Sequence, residues 1–535
     1  MVDILCPPYP EELPADYAAR LGQYYNQTNT RTYKKKNGQY FTSTTMARFM
    51  ASMSKVVSTH LRILDPGCGV GILSCALVEY LMDGGKTKSI ELVLYEIDKD
   101  LIFYTETALN YLKEWAIKKG DILIDYSIHS QDFIVDNNYN YKNFDKSYFH
   151  ANNLFHIVIS NPPYFKLKSN DKRVLIAENI LGKQPNIYSI FIAVATTLLR
   201  TKGELIFVIP RSFTSGYYYT SFRNFLLIKL QLDQIHLFTS RRFPFQIDNV
   251  LQETIIIKAS RVEYLDSSST VVLSNSIGLK DLNNSIKKTA TLNQIIKLNS
   301  SQKIIHLPIN ELEDNIISVF DLWNEKLEDY GISVSTGPVV DFRSLDFLRN
   351  YESLYTVPLF WLNNVQKMKL IWPIVADDIK KFRPQFIKSD KQTKSRLIKT
   401  QNCILIRRFS SKDEISRLVA TPLFKSDYSQ FEYLGVENHL NYIYKKETIF
   451  TVIEILGISA ILNSFLFDIY FRTFNGNTNV SSTELRNIPM PPYHKIIEVG
   501  NQLLKCESIT QLIVDNIISD VFNFQLPIPN LMIDE

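Results

Sequence analysis

The chain has 535 residues, 45% of them apolar and 21% charged, proportions of a globular protein whose length predicts two or three domains. No run approaches the ~18 uncharged apolar residues of a membrane span. The N-terminal MVDILCPPYPEELPADY carries acids and prolines where a signal peptide needs a basic start and an apolar core, so the expected location is cytoplasmic. Five scattered cysteines without a CxxC argue against both a disulfide framework and a zinc site, and a net charge of +4 does not by itself announce a nucleic-acid partner.

In chain order, β-rich runs alternate with helical stretches through the first half, which predicts a parallel sheet wrapped by helices. Strands are expected at Leu61–Leu64, Ile90–Tyr95, Ile122–Ile128, Phe155–Ile159, Glu204–Ile209, Gln234–Phe238 and Thr254–Lys258. Helices are expected at about Ile72–Met82 and Lys99–Ile117, with another before Glu204. A polar insertion, Val135–Asn153, reads as a surface loop. After about Arg261, Ser- and Asn-rich segments predict a connector over 262–320, followed by a second domain over 321–492 and a helical tail over 493–535. Basic clusters at Lys34–Lys36, Arg241–Arg242, Lys380–Lys399 and Arg407–Arg408 would suit a cleft that contacts DNA.

The first expected strand runs into Asp65-Pro66-Gly67-Cys68-Gly69-Val70-Gly71 and then a helix. Glycines at such a turn let backbone approach a ligand at the carboxyl end of a strand. The second strand ends in Glu96-Ile97, and an acid there can accept hydrogen bonds from both hydroxyls of a ribose. The spacing is neither G-x-G-x-x-G nor a phosphate loop, and Asp65 suits a cationic ligand. S-adenosyl-L-methionine, with its sulfonium and ammonium, fits better than NAD or ATP. Asp132-Phe133 after the third strand then supplies an acceptor for the adenine amino group and a ring for its face.

The fourth strand ends in Ser160-Asn161-Pro162-Pro163-Tyr164. An exocyclic amino nitrogen is a poor nucleophile because its lone pair is delocalised. The Asn161 side-chain oxygen and the Pro162 carbonyl can accept its two hydrogens, favouring a pyramidal nitrogen aimed at the sulfonium methyl, with preorganised dipoles for the developing charge. Tyr164 offers a flat face for stacking a base.

These motifs, in this order, resemble the gamma class of adenine-N6 DNA methyltransferases of type II restriction–modification systems. The resemblance implies a Rossmann-like, class I S-adenosylmethionine-dependent α/β methyltransferase domain over 1–261 and then a mixed α+β target-recognition domain. Asn37-Gly38-Gln39-Tyr40-Phe41-Thr42 resembles the family's N-terminal cofactor segment, which adds Tyr40 and Thr42 to the expected cofactor contacts; Ser43 stands where the family usually has Pro. Lys202–Pro210 resembles the family's strand after the catalytic motif, and Arg211-Ser212-Phe213-Thr214-Ser215-Gly216 resembles a subgroup that modifies short palindromes. Its partners would be double-stranded DNA and a separately encoded cognate endonuclease, in a prokaryotic cell. A duplex hides adenine N6, so the base must flip out; the family sandwiches it with a second aromatic, for which Phe245 is the first choice and Phe243 the next. Gly331–Gly337, Phe342-Arg343, Arg407–Lys412, Glu437–Asn441 and Phe474–Val480 resemble segments of the specificity domain. The Asn-Pro-Pro-Tyr motif also serves enzymes that methylate a protein glutamine or an RNA base; the long C-terminal half favours DNA.

Overall fold

A computed structural model of the chain describes residues 7–28, 41–138, 154–240, 253–374, 383–411 and 413–524. Two compact units emerge, Met1–Ile309 and Asn310–Glu535.

In the first unit nine strands among the described residues form one sheet. They are β1 (His60–Pro66), β2 (Ser89–Tyr95), β3 (Leu123–His129), β4 (Phe155–Ser160), β5 (Leu199–Pro210), β6 (Leu230–Phe238), β7 (Thr254–Arg261), β8 (Thr270–Ser276) and β9 (Ile286–Thr291), in the order 3-2-1-4-5-7-6-8-9. The neighbours among β1–β5 run parallel, and β7 lies antiparallel between β5 and β6. The helices are α1 (Pro14–Thr28), α2 (Thr44–Ser52), α3 (Ile72–Asp83), α4 (Lys99–Gly120), the single turn α5 (Phe133–Asp136), α6 (Lys172–Leu181), α7 (Ile187–Leu198) and α8 (Thr220–Lys229). Successive strand residues feed different cores, as a sheet buried on both faces requires. Ile63 and Ile157 pack with residues of α1–α4, whereas Leu64 and Val158 pack with those of α6–α8.

All seven expected strands form, and β5 begins five residues earlier than expected. The segment read as a connector differs. Residues 270–291 extend the sheet through β8, parallel to β6, and β9, antiparallel to β8. Their polar composition suits this place: β9 has Lys287 and Lys288 and buries little, as an edge strand should. The expected tail helix is likewise two helices, Tyr493–Leu503 and Gln511–Phe522, with Thr510 capping the second through Ile513 N at 3.3 Å.

The second unit carries a four-stranded sheet of Ile332–Thr336, Leu440–Lys445, Cys403–Arg407 and Ala420–Leu423 in that spatial order, and a five-stranded sheet built around Thr356–Phe360. Among the described residues no single helix is long and apolar enough to cross a membrane; the bent pair Val452–Asn463 and Phe465–Phe474 passes that test together, and most of its residues are buried in this unit.

Charge is also buried in the first sheet. Glu204 of β5 and Lys258 of β7 are 4% and 7% exposed and pair at 2.7 Å. Ser54 Oγ donates to the other carboxylate oxygen at 2.7 Å, and the Lys55 amide donates to Glu204 at 3.0 Å. Removing one partner strands the other charge away from water. Glu204→Gln is expected to lower unfolding free energy by about 3–5 kcal/mol. Adding Lys258→Met should restore much of the loss, read as the urea midpoint of each variant.

Candidate active site

In the order 3-2-1-4-5 the chain turns from one half of the sheet to the other between β1 and β4. Open α/β sheets bind ligands at such a switch point, outside the carboxyl ends of the strands. Both sequence motifs end there. Ser160 Oγ donates to the Pro66 carbonyl at 2.6 Å within buried surroundings, fastening the end of β4 to that of β1.

The glycine loop takes the backbone shape that its sequence implies. Gly67, Gly69 and Gly71 have φ of 76°, 56° and 81°, the left-handed region that side chains disfavour. The amides of Gly67 and Cys68 donate to the Tyr95 carbonyl at 2.8 and 3.0 Å, so the loop hangs from the end of β2. Thr105 Oγ1 of α4 donates to the Gly69 carbonyl at 2.6 Å. A Cβ on Gly69 would stand 3.1 Å from the Phe41 ring, which places the N-terminal segment against the loop.

Two carboxylates face this loop. Asp65 is buried; Ser74 Oγ donates to its Oδ2 at 2.7 Å, while Oδ1 has no hydrogen-bond partner. Burial pushes its carboxyl up to about 7, with the Glu96 carboxylate adding to the rise. Glu96 accepts from the Gly69 amide at 3.0 Å and the Asp98 amide at 2.9 Å. Burial pushes Glu96 up to about 7 as well, against the pull of those amides. Next to it Ile97 is 63% exposed, an apolar surface at a strand end.

Asp132 caps α5, its Oδ1 accepting from the amides of Ile134 and Val135 at 3.0 and 3.1 Å. Its Oδ2 lies 3.6 Å from Arg173, which sequence reading did not anticipate. Phe133 is buried between Tyr95 and Phe191, with both ring centroids 5.2 Å away. It lies in the wall of the site as packed core.

Asn161 and Pro162 leave the end of β4. Asn161 Nδ2 donates to Thr42 Oγ1 at 3.1 Å, so Thr42, expected as a cofactor contact, is held against Asn161. Ser43 caps α2, its side chain accepting from the Met46 amide at 3.3 Å; this explains a capping residue where the resemblance expects Pro. The Tyr164 hydroxyl stands 2.5 Å from Asn161 Oδ1 and 2.7 Å from the Val208 carbonyl. With one proton it donates to one of them at a time. Burial keeps that proton on, pushing the phenol well above its usual range. Tyr164 is half-buried, with its hydroxyl against the Asn161 side chain. Tyr40 and Phe245 lie outside the described residues.

The polar segments of the second unit, by contrast, are largely bonded to one another. Arg407 Nε donates to the Val365 carbonyl at 2.8 Å, and an Arg408 nitrogen to the Asn438 carbonyl at 3.0 Å. Buried Glu437 pairs with His439 at 2.5 Å. Asn441 bridges Thr336 Oγ1 and the Val480 carbonyl at 3.0 and 2.8 Å. Asn475 joins Arg417 and Glu484, both at 2.8 Å. Phe342 and Arg343 remain exposed.

The family model for the Eco57I restriction-modification methylase matches residues 80–243, which takes in the Glu96, Asp132 and Asn161 positions. Over 479 residues the chain is 30% identical to the type II methyltransferase M.PstI of Providencia stuartii, spanning 89% of this chain and 91% of that protein. With M.BsuBI of Bacillus subtilis, also a type II methyltransferase, it is 32% identical over 486 residues, 90% of this chain and 93% of the relative. The chain belongs to the type II restriction–modification methyltransferases. Among solved structures, the DrdV–DNA complex aligns at 11% identity and a TM-score of 0.49, spanning 91% of this chain and 59% of that one.

Thr42 holds the Asn161 side-chain amide through its hydroxyl. Thr42→Val keeps the shape and removes the acceptor for Asn161 Nδ2. One net hydrogen bond is worth about 0.5–1.5 kcal/mol, so turnover should fall about two- to tenfold. Cofactor affinity should change much less; the two are separated by single-turnover kinetics and calorimetry.

Proposed function

We propose that this type II methyltransferase moves the methyl group of S-adenosyl-L-methionine to N6 of adenine. The substrate is a specific, short palindromic sequence in double-stranded DNA, which the modification protects from a cognate endonuclease. One observation carries the reading: Asn161, at the mouth of the switch point, is held by Thr42 and Tyr164 beside the loop of Asp65 and Glu96.

The cofactor fit rests on Asp65. A buried carboxylate oxygen without a partner is a costly arrangement unless a ligand completes it. The ammonium of a methionyl group has the charge to do so, and the left-handed glycines keep side chains out of its way. Each Glu96 oxygen already accepts one amide and keeps a lone pair for a ribose hydroxyl. Asp132 Oδ2 would accept the adenine amino group, with Ile97 and Phe133 as apolar walls. Bound there, S-adenosylmethionine supplies an electrophilic methyl on a sulfonium.

The residues of this chain do the rest. Asn161 Oδ1 and the Pro162 carbonyl accept the two amino hydrogens of a flipped adenine and turn the nitrogen lone pair toward the methyl. The positive charge that develops on N6 as it takes up the methyl would meet those two dipoles, and a proton would then leave N6 to solvent. Tyr164, kept protonated by burial, fixes the Asn161 amide so that its oxygen does not rotate away. Tyr164 and Phe245 would hold the flipped base.

Two outcomes are expected. Asn161→Ala should bind cofactor as the wild type does and lose methyl transfer by several orders of magnitude. Base-modification sequencing of DNA from cells expressing the chain should show N6-methyladenine in one motif with the wild type and none with the variant. Modified cytosine only, or no modified DNA, overturns the reading.

The pH dependence follows from the two raised carboxyls. The unliganded protein holds their protons up to about pH 7, and the cation favours the ionised forms. Cofactor affinity should therefore rise between pH 6 and 8 with proton release on binding. Calorimetry in buffers of different ionisation enthalpy checks this. Asp65→Asn and Glu96→Gln should each flatten the rise and weaken binding.

A further inference from the structure

We infer that the specificity face of the second unit, the surface that lies on DNA, is built by residues 341–355 together with 383–399, and not by the Asn-, Arg- and His-rich segments around 408, 438 and 476. This rests on the reading of the chain as a DNA methyltransferase and assigns a location to its DNA contact.

The two segments form one surface. Leu348 and Arg349 pair with Ile387 and Phe386. The Ser389 amide donates to the Tyr355 carbonyl at 2.8 Å. An Arg396 nitrogen donates to the Arg343 carbonyl at 2.7 Å and to Ser344 Oγ at 3.0 Å.

The surface carries what a nucleic acid recognises. Residues 341–355 and 383–399 together hold eight cations against four acids, Asp341, Asp346, Glu352 and Asp390. Beside them stand exposed rings: Phe342 is 66% and Tyr355 70% open to solvent. Guanidinium lies on aromatic here too, with Arg343 5.3 Å from the Phe342 ring centre and Arg396 5.1 Å from that of Phe347. Large rings on a water-facing surface beside the exposed cations Arg343, Lys391 and Lys394 form a contact surface rather than a core. The cations match phosphates, which set affinity, while rings and the exposed acid Glu352 can meet base edges and their amino groups. An anionic lipid surface would repel those acids, and so fits less well.

The competing segments lack this freedom. The side chains of Arg408, His439, Asn441 and Asn475 hold neighbouring carbonyls, hydroxyls and carboxylates of the same unit, so turning them to a base would break bonds already made, although Asn438 Oδ1 and Asn479 Oδ1 beside them are buried without a partner. Their polar composition builds the unit.

The test uses the full-length chain and a short duplex carrying the motif that modification sequencing identifies. Arg343, Lys391 and Lys394 are all exposed, so the triple alanine variant should keep its melting temperature and cofactor affinity. Each lost phosphate contact lowers the slope of log affinity against log salt by about 0.9, so the slope should fall by nearly three and affinity at least tenfold. Phe342→Ala with Tyr355→Ala should reduce the ratio of specific to non-specific binding about tenfold, one weakened base contact each. If the wild type binds the duplex and both variants match it in affinity, slope and specificity, the inference is overturned while the proposed function stands. If the wild type methylates no DNA, the proposed function falls first and this inference with it.

Discussion

Two carboxylates withdrawn from water, Asp65 and Glu96, set the terms for the first unit. A buried anion with too few partners is unfavourable, and each has been driven up to about 7 by that environment. Neither lies in a place that packing alone requires: each sits at the carboxyl end of a parallel strand, at the switch point of the sheet. The unliganded site thus keeps two carboxyl groups in surroundings that favour their protonated forms. The glycine loop, hung from the Tyr95 carbonyl and braced by Thr105, keeps the approach to those carboxylates clear of side chains.

The edge of the sheet beyond β5 carries buried polar groups as well as apolar packing. Arg211, where the chain leaves β5, pairs with Glu253 at 3.2 Å, and both are buried. Arg223 of α8, fully buried, donates to the carbonyls of Phe213, Gly216 and Gln302 at 2.8, 2.9 and 2.8 Å. A single guanidinium with five donors in a fixed fork can gather several loop carbonyls that no helix or strand would satisfy. The loop after β5 is held in one shape, next to the strand that ends in Asn161.

A similar economy runs through the second unit, where Arg417, Asn441 and Asn475 are buried and bonded to the loops they join. Polar richness there marks irregular backbone that needs partners. Exposed rings beside cations mark a surface, and on this unit the two kinds of residue occupy different segments.

How much of this was legible before folding varies by element. The strands of the sheet and the two motifs at its switch point were readable because each depends on local pattern: apolar runs, glycines where φ must be positive, an acid at a strand end. The choice of Asn161, Asp65 and Glu96 as candidate site residues came from the chemistry their side chains permit. The strands β8 and β9 were not readable, since an edge strand with Lys and Thr along it has the composition of a linker until a neighbour supplies the pairing. Nor was the bond from Asn161 to Thr42, which spans 119 residues, or the ion pair of Asp132 with Arg173. Sequence alone determined which residues could bind and react, because that is a property of side chains and local backbone. Tertiary structure alone decided which of them hold each other in place and which stay free, because hydrogen-bonding capacity is finite and long-range contacts choose how it is used.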